Sequence, residues 1–260
     1  NFSERSENSI AHLEEELLNQ PVVATDATVI TVNGEQEYIR NFSTTKSVLY
    51  RAMQDKKLDT MHKVHFFEKY TGILVHDHET ALYHFGTDHG ECNVHVIRYL
   101  RKNTEDTQNT WSGQMINLLC EMNRERKAAI KEKRDRFETA VLSGYEKKYD
   151  DLIALGRTEN KKTKHRYAKD EEKKLLNRIE KYKRNHLLFM HDFRVPFDDN
   201  MSERDLRKAK NRQKMAGGFR KASGHEMYCR ILTIIETLKR RKMGIFENIK
   251  LLFMGTPAIF

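Results

Sequence analysis

Three acidic residues in unlike settings carry the chemistry this sequence could perform. Asp26 lies within Val22-Val23-Ala24-Thr25-Asp26-Ala27-Thr28-Val29-Ile30, Asp77 follows the apolar Gly72-Ile73-Leu74-Val75-His76, and Glu203 follows Asp198-Asp199-Asn200-Met201-Ser202. The first two settings predict strands, and the third predicts the opening of a helix. Carboxylates gathered from distant segments can hold a pair of magnesium ions, which activate a nucleophile and stabilise the leaving oxygen in phosphodiester chemistry.

Each acid also has a plainer reading. Asp26 could be an edge or turn residue, but an acid between Val22-Val23 and Val29-Ile30 is costly to bury without a cation, which favours the metal role. Asn200 with Glu203 three residues later has the pattern of a capping box. Asp77 is followed by His78, Glu79, His84, His89 and His95 and preceded by His76, which raises a zinc cluster; the spacing is irregular and lacks cysteine pairs. His95 is placed either near the site, on a neighbouring strand, or in a structural role. Trp111, the single tryptophan, reads as an anchor for its helical region.

Composition describes a protein suited to a polyanion. Of 260 residues, 38% are hydrophobic and 33% charged, too apolar for wholesale disorder and too charged for a membrane protein. No apolar run approaches the roughly 20 residues a spanning helix needs, and Glu4, Arg5 and Glu7 do not fit a signal peptide. Cys92, Cys120 and Cys229 are isolated and odd in number, in keeping with a reducing cytoplasm. The net charge of +9 is concentrated in two blocks: 124–185 holds 21 Lys and Arg against 12 Asp and Glu, and 204–242 holds 13 against 3. Such blocks can neutralise phosphates in a salt-dependent way, or form solvated helix faces.

The elements that must position the acids are strand-rich first and helical later. Residues 22–32 read as a strand, Asn33-Gly34 as a two-residue hairpin turn and 37–43 as the returning strand. Residues 45–55 have helical character, 63–70 reads as a short helix or an approach to the next strand, 72–76 as a strand, and 92–96 as a strand running into a helix. From 110 to about 188 the pattern is helical, and two helices packed as a hairpin would suffice. Leu118, Leu119, Met122 and Ile130 form one apolar stripe, and Leu175, Leu176, Ile179 and Tyr182 another. Residues 156–169 read as an exposed loop or hinge. Gly217-Gly218 ends or interrupts the helix opened near Glu203, and 228–240 returns as a helix with Ile231, Ile234, Ile235 and Leu238 on its apolar side. The fold class is therefore α/β with a partly parallel sheet.

The stretch Val195-Pro196-Phe197-Asp198-Asp199-Asn200-Met201-Ser202-Glu203-Arg204-Asp205-Leu206-Arg207 resembles the region of the catalytic glutamate in insertion sequence 66 family transposases. Lys210-Asn211-Arg212-Gln213-Lys214, Ala216-Gly217-Gly218-Phe219-Arg220, Ile234-Ile235-Glu236-Thr237 and Ile245-Phe246-Glu247-Asn248-Ile249 are similar to the family's tail. Val75-His76-Asp77-His78 and the run from Glu91 to Leu100 are similar to its middle region. The resemblance runs from Pro21 onward. It departs at Asp77, where the family commonly has Gly-Tyr next and this chain has His78-Glu79.

The resemblance implies a ribonuclease-H-like mixed-sheet core with a long helical insertion before its final catalytic helix, and a DDE metal site of Asp26, Asp77 and Glu203. The expected organisation is a helical lead-in over 1–20, the first part of the core over 21–109, the insertion over 110–194, the final core helices over 195–242 and a C-terminal element over 243–260. The activity implied is magnesium- or manganese-dependent DNA cleavage at transposon ends by two ions, followed by attack of the freed 3′ hydroxyl on target DNA. Arg204, Arg207, Lys208, Lys210, Arg212, Arg220 and Lys221 would hold phosphates without reading bases. Implied partners are DNA, further copies of the chain and accessory transposition proteins, in a bacterial cytoplasm at the nucleoid. Full-length members carry upstream DNA-recognition and zinc-binding regions, so the resemblance also implies a fragment, a truncated copy or one half of a split gene. Two other readings stand beside it: a DNA-binding remnant without catalysis, and a nuclease that cuts without joining.

Overall fold

The computed structural model describes every residue except Asn1 and Pro257. Two compact units are present, Asn1–Asp88 with Asp199–Phe260, and His89–Asp198. In the first, helix α1 (Phe2–Leu18) precedes strands β1 (Val22–Val32), β2 (Glu35–Ser43) and β3 (Val48–Met53), the short helices α2 (Leu58–Met61) and α3 (His65–Lys69), and strand β4 (Ile73–His76). Strand β5 (Asp88–Glu91) follows, and the sheet order is β3-β2-β1-β4-β5.

Local chemistry explains the hairpin. Asn33 and Gly34 both take positive φ, 50° and 84°, as a two-residue turn matched to strand twist requires. The antiparallel ladder therefore closes at Val32↔Glu35 and runs to Ala24↔Ser43. β4 lies parallel to β1 on its other side, with Val22↔Ile73 through Ala24↔Val75.

Residues 48–53 are a strand, not the helix expected over 45–55. A short apolar run fits either state, and here β2 supplies the partner, from Tyr38↔Met53 to Ser43↔Val48. The outer side of β3 is covered by a helix from the far end of the chain. After helix α4 (Asn93–Thr107), α5 (Trp111–Lys131), α6 (Thr139–Lys162), α7 (Arg166–Lys181) and α8 (Lys183–His191), the chain forms α9 (Asn200–Ala216), α10 (Ala222–Arg240) and α11 (Ile245–Phe253). The Thr237 hydroxyl of α10 bridges the backbone N–H and C=O of Val48 at 3.1 Å each, and the Thr233 hydroxyl accepts from the Tyr50 N–H at 2.9 Å. Threonine hydroxyls thus satisfy an edge that would otherwise invite another strand.

The two sheet faces carry separate cores. One gathers Leu13, Leu17, Phe42, Phe66, Phe67 and Leu74 with their neighbours, and the other gathers Ile30, Ile39, Tyr50, Leu206, Ala209 and Phe219. α9 lies on the second face, along β1 and β2. Its end is stitched to β1: Phe219 N–H donates to Thr31 O at 2.8 Å and Asn33 N–H to Phe219 O at 2.7 Å. Gly218 lies between, at φ +107°, where a Cβ would stand 2.4 Å from the Thr31 carbonyl oxygen, so only glycine permits the approach.

The second unit is helical, holding α4 to α8, and the expected insertion over 110–194 falls inside it. It contains four helices after residue 110 where two were expected. α6 continues to Lys162 and α7 opens at Arg166, so most of the 156–169 stretch read as a loop is helical. Its polarity has a physical use. Glu172 accepts from Asn103, Asn109, Trp111 Nε1, Asn160 and Thr163 at 2.7–3.2 Å, a fully bonded carboxylate that holds α4 to α7 together. Trp111 is wholly buried there, as the anchor reading has it. Residues 93–96 open α4 and are not strand, which sets His95 in a helical first turn, with its Nε2 3.0 Å from Arg98 Nη1. Ile130 is exposed and drops out of its expected apolar stripe.

Candidate active site

Asp26 sits at the middle of β1 on the face that α9 covers, and it is 8% exposed. Its ladder partner on β2 is Asn41. On the other side, continuing the β1–β4 register by two residues sets Asp26 opposite Asp77, the first residue after β4. A row of Asn41, Asp26 and Asp77 thus crosses three strands. Burial pushes the Asp26 carboxyl above the usual carboxylate range, and the Asp77 charge pushes it further the same way. The Ala27 N–H, which donates to Asp26 Oδ1 at 2.6 Å, and the nearby charges of Arg40 and Lys210 act against the rise.

Asn41 is fully buried, and its amide is used at both ends. Oδ1 accepts from the Asp26 N–H at 3.0 Å and from the Ser202 hydroxyl at 2.7 Å, while Nδ2 donates to the Ser202 carbonyl at 3.0 Å and to Ser43 Oγ at 3.2 Å. One turn along α9, Asp205 Oδ2 accepts from Ser43 Oγ at 2.7 Å and from Arg240. The residues on either side of Glu203 are therefore fastened to β2, next to Asp26. Neither Asn41 nor Ser202 stood out in the sequence. The available signal was parity: Ile39, Asn41 and Ser43 alternate on one face of β2, and a polar group on a core face must find partners.

The helix opens at Asn200 with Asp199 as its cap residue, and Glu203 N–H donates to Asp199 O at 3.1 Å. With Asp199 as cap, Glu203 stands one place beyond the capping-box position that a cap at Asn200 would give it. Lys210 follows seven residues later on the same helix face, where its charge reaches Asp26. The structure places Asp26 and Asp77 within electrostatic reach of each other, and Glu203 lies on the helix that Asn41 pins through Ser202. Among the described residues, no group of three or more His, Cys, Asp or Glu side chains converges at metal-ligating distance, the histidines between 76 and 95 included.

Two residues on, Glu79 pairs with the wholly buried Arg40 at 2.6 Å and with Lys56 at 2.9 Å. His78, between Asp77 and Glu79, takes φ +71°, the left-handed region that glycine enters without cost.

The cations proposed for phosphate contact divide by environment. Arg204, Arg207, Lys210, Arg220 and Lys221 are exposed. Lys208 is also exposed and pairs with Glu236. Arg212 lies over the Phe219 ring, 3.5 Å from its centroid, and donates to Gly218 O at 2.9 Å, so it also holds the turn after α9.

The first unit is thus a mixed α/β body with Asp26 and Asp77 at neighbouring places on its central strands and Glu203 on a helix fastened to β2. The chain belongs to the Transposase IS66 family, whose family model matches residues 2–227. No curated protein matches the chain. The matched region includes all three acids and ends before the Ile245–Ile249 element. Among the described residues no helix is long and apolar enough to cross a membrane.

Proposed function

We propose that the chain is the catalytic part of a DDE-type DNA transposase, with Asp26, Asp77 and Glu203 as the ligands of magnesium or manganese. The five-stranded mixed sheet and the helical unit between β5 and α9 support a ribonuclease-H-like core with an insertion. The observation that carries the reading is the buried Asp26 beside Asp77: two carboxylates in mutual repulsion, one of them raised by burial, are a site that a divalent cation relieves. Oxygen-only donors suit a hard cation. When bound, a pair of such ions supplies an activated nucleophile and stabilises the leaving oxygen.

The chain's own residues do the rest. Asp26 and Asp77 are held at neighbouring places by the sheet register, Asn41 fixes the start of α9, and in this reading Glu203 joins them when the metal binds. Lys210, on the Glu203 face of α9, is set to hold a DNA phosphate at the acids, and Arg204, Arg207, Arg220 and Lys221 extend that phosphate contact. Cleavage of a transposon end followed by strand transfer is the reaction of this reading, with further copies of the chain and accessory proteins assembled on DNA in the bacterial cytoplasm. A second reading, DNA binding without strand chemistry, has in its favour that the three carboxylates do not converge. Titration of the chain with Mn²⁺ separates the two: binding that Asp26→Asn and Asp77→Asn each abolish supports catalysis, and absence of binding at either acid supports the second reading.

A further inference from the structure

We propose that the exposed stripe of Arg124, Lys127 and Lys131 on α5 is a second nucleic-acid contact, one that holds duplex DNA by its phosphates. It rests on the reading of the chain as a DNA transposase and lies in the other unit from the acids. α5 buries Trp111, Met115, Leu118, Leu119, Met122 and Ala129, the apolar stripe of an amphipathic helix. Cys120, Arg124, Lys127 and Lys131 follow the same alternation of four and three residues on another side, and with Asn123 and Ala128 they line a groove. All three cations are exposed, and none forms an ion pair with the described residues.

The sorting of charge on this helix is the main argument. Glu121 accepts from Tyr145 and pairs with Lys148 of α6, and so lies to one side, while no acid lies among the groove residues. Other exposed cations of the same unit have an acid one turn away, as in Lys147–Asp151 and Lys174–Glu171. Arg124, Lys127 and Lys131 instead place like charges at three- and four-residue spacing, which costs a few tenths of a kcal/mol per pair in water. The helix dipole accounts only for Lys131, since it acts within the last turn. A polyanion turns the repulsion into attraction. At about 1.5 Å rise per residue the three cations span about 10 Å, and duplex DNA presents about one phosphate charge per 1.7 Å of axis. The groove has no aromatic or large aliphatic side chain, the anchors that a protein partner would use.

Cys120 gives the test a built-in reporter, because it is exposed in the groove while Cys92 and Cys229 are buried. A thiol-reactive photo-crosslinker is attached to the full chain and irradiated with labelled random-sequence duplex DNA, and binding is measured across a salt series. The expected results are a DNA adduct at Cys120 and, in the triple variant R124Q/K127Q/K131Q, about tenfold weaker binding with a salt slope shallower by roughly 2–3, about 0.9 per lost phosphate contact. Fluorescence of the buried Trp111 checks the fold of the variant, and Lys127→Gln alone is used if the triple variant does not fold. The proposal is overturned if DNA binds without an adduct at Cys120, if a folded variant keeps the parental salt slope, or if RNA or an acidic protein displaces the adduct at lower concentration than duplex DNA. Cleavage without an adduct removes this surface and leaves the catalytic reading standing; an adduct in a chain that never cleaves does the reverse.

Discussion

Asn41 grips Ser202 from both ends of its amide, Oδ1 accepting a hydrogen bond from the hydroxyl at 2.7 Å and Nδ2 donating one to the carbonyl at 3.0 Å. The same Oδ1 accepts from the Asp26 N–H, so one side chain fixes the distance between the strand that bears one acid and the helix that bears another. Asn41→Ala takes this partner from four polar groups, the Asp26 N–H, the Ser202 hydroxyl and carbonyl and the Ser43 hydroxyl, at about 1–3 kcal/mol for each one left unsatisfied before relaxation. The expected outcome is a loss of about 2–4 kcal/mol in chemical denaturation. Asn41→Asp should fare worse in strand cleavage, because it replaces the donor by a third negative charge beside Asp26 and Asp77.

Asp26 should trade stability for function. Its folded carboxyl is raised above the ordinary aspartate range by burial and by Asp77. The folded state therefore holds the proton more tightly than the unfolded chain, and stability is highest in acid and falls as pH rises through the folded value. Asp26→Asn mimics the protonated form. Without divalent cation, parent and variant should melt alike in strong acid, and at neutral pH the variant should melt at the higher temperature. Added Mg²⁺ should stabilise the parent and leave the variant unchanged, as differential scanning calorimetry can show.

Arg207 and Arg212 should separate phosphate contact from folding. Arg207 is exposed on α9, so Arg207→Ala should leave the melting temperature unchanged and make the salt dependence of DNA binding shallower by about 1 in slope. Arg212 is stacked on Phe219, and Arg212→Ala should cost about 1–2 kcal/mol of stability whatever it does to DNA. Equal melting temperatures for the two variants would contradict this division.

The parts of the fold that sequence could reveal are those decided locally. Asn33-Gly34 demands positive φ at both residues, and the hairpin it predicts is present, with β2 starting two residues earlier than expected because the ladder closes fully at Val32↔Glu35. β3 could not be read this way: Val48-Leu49-Tyr50 is apolar enough for helix or strand, and what decides is β2 on one side and Thr233 and Thr237, over 180 residues away, on the other. The helical unit was underread for a similar reason, since the polar residues near 160 that suggested a loop are partners of a single buried carboxylate, Glu172. At the site, the acids were legible by type and setting. Asn41 was not, because its role exists only once β1, β2 and α9 are assembled.

The central claim is that Glu203 acts with Asp26 and Asp77 in metal-dependent strand cleavage, and Glu203→Gln tests it most directly. Glutamine keeps the size and hydrogen-bonding capacity of the side chain and removes the negative charge a divalent cation requires. The measurement is Mg²⁺-dependent nicking of transposon-end DNA by the chain joined to an upstream DNA-recognition region, with parent and variant matched for DNA binding and melting temperature. The account predicts that the variant binds and folds as the parent does and that its nicking rate falls by at least about a thousandfold, the scale expected when a group acting directly on the reaction is lost. Nicking by the variant at the parental rate would contradict the catalytic assignment and leave Glu203 as a residue of the fold alone.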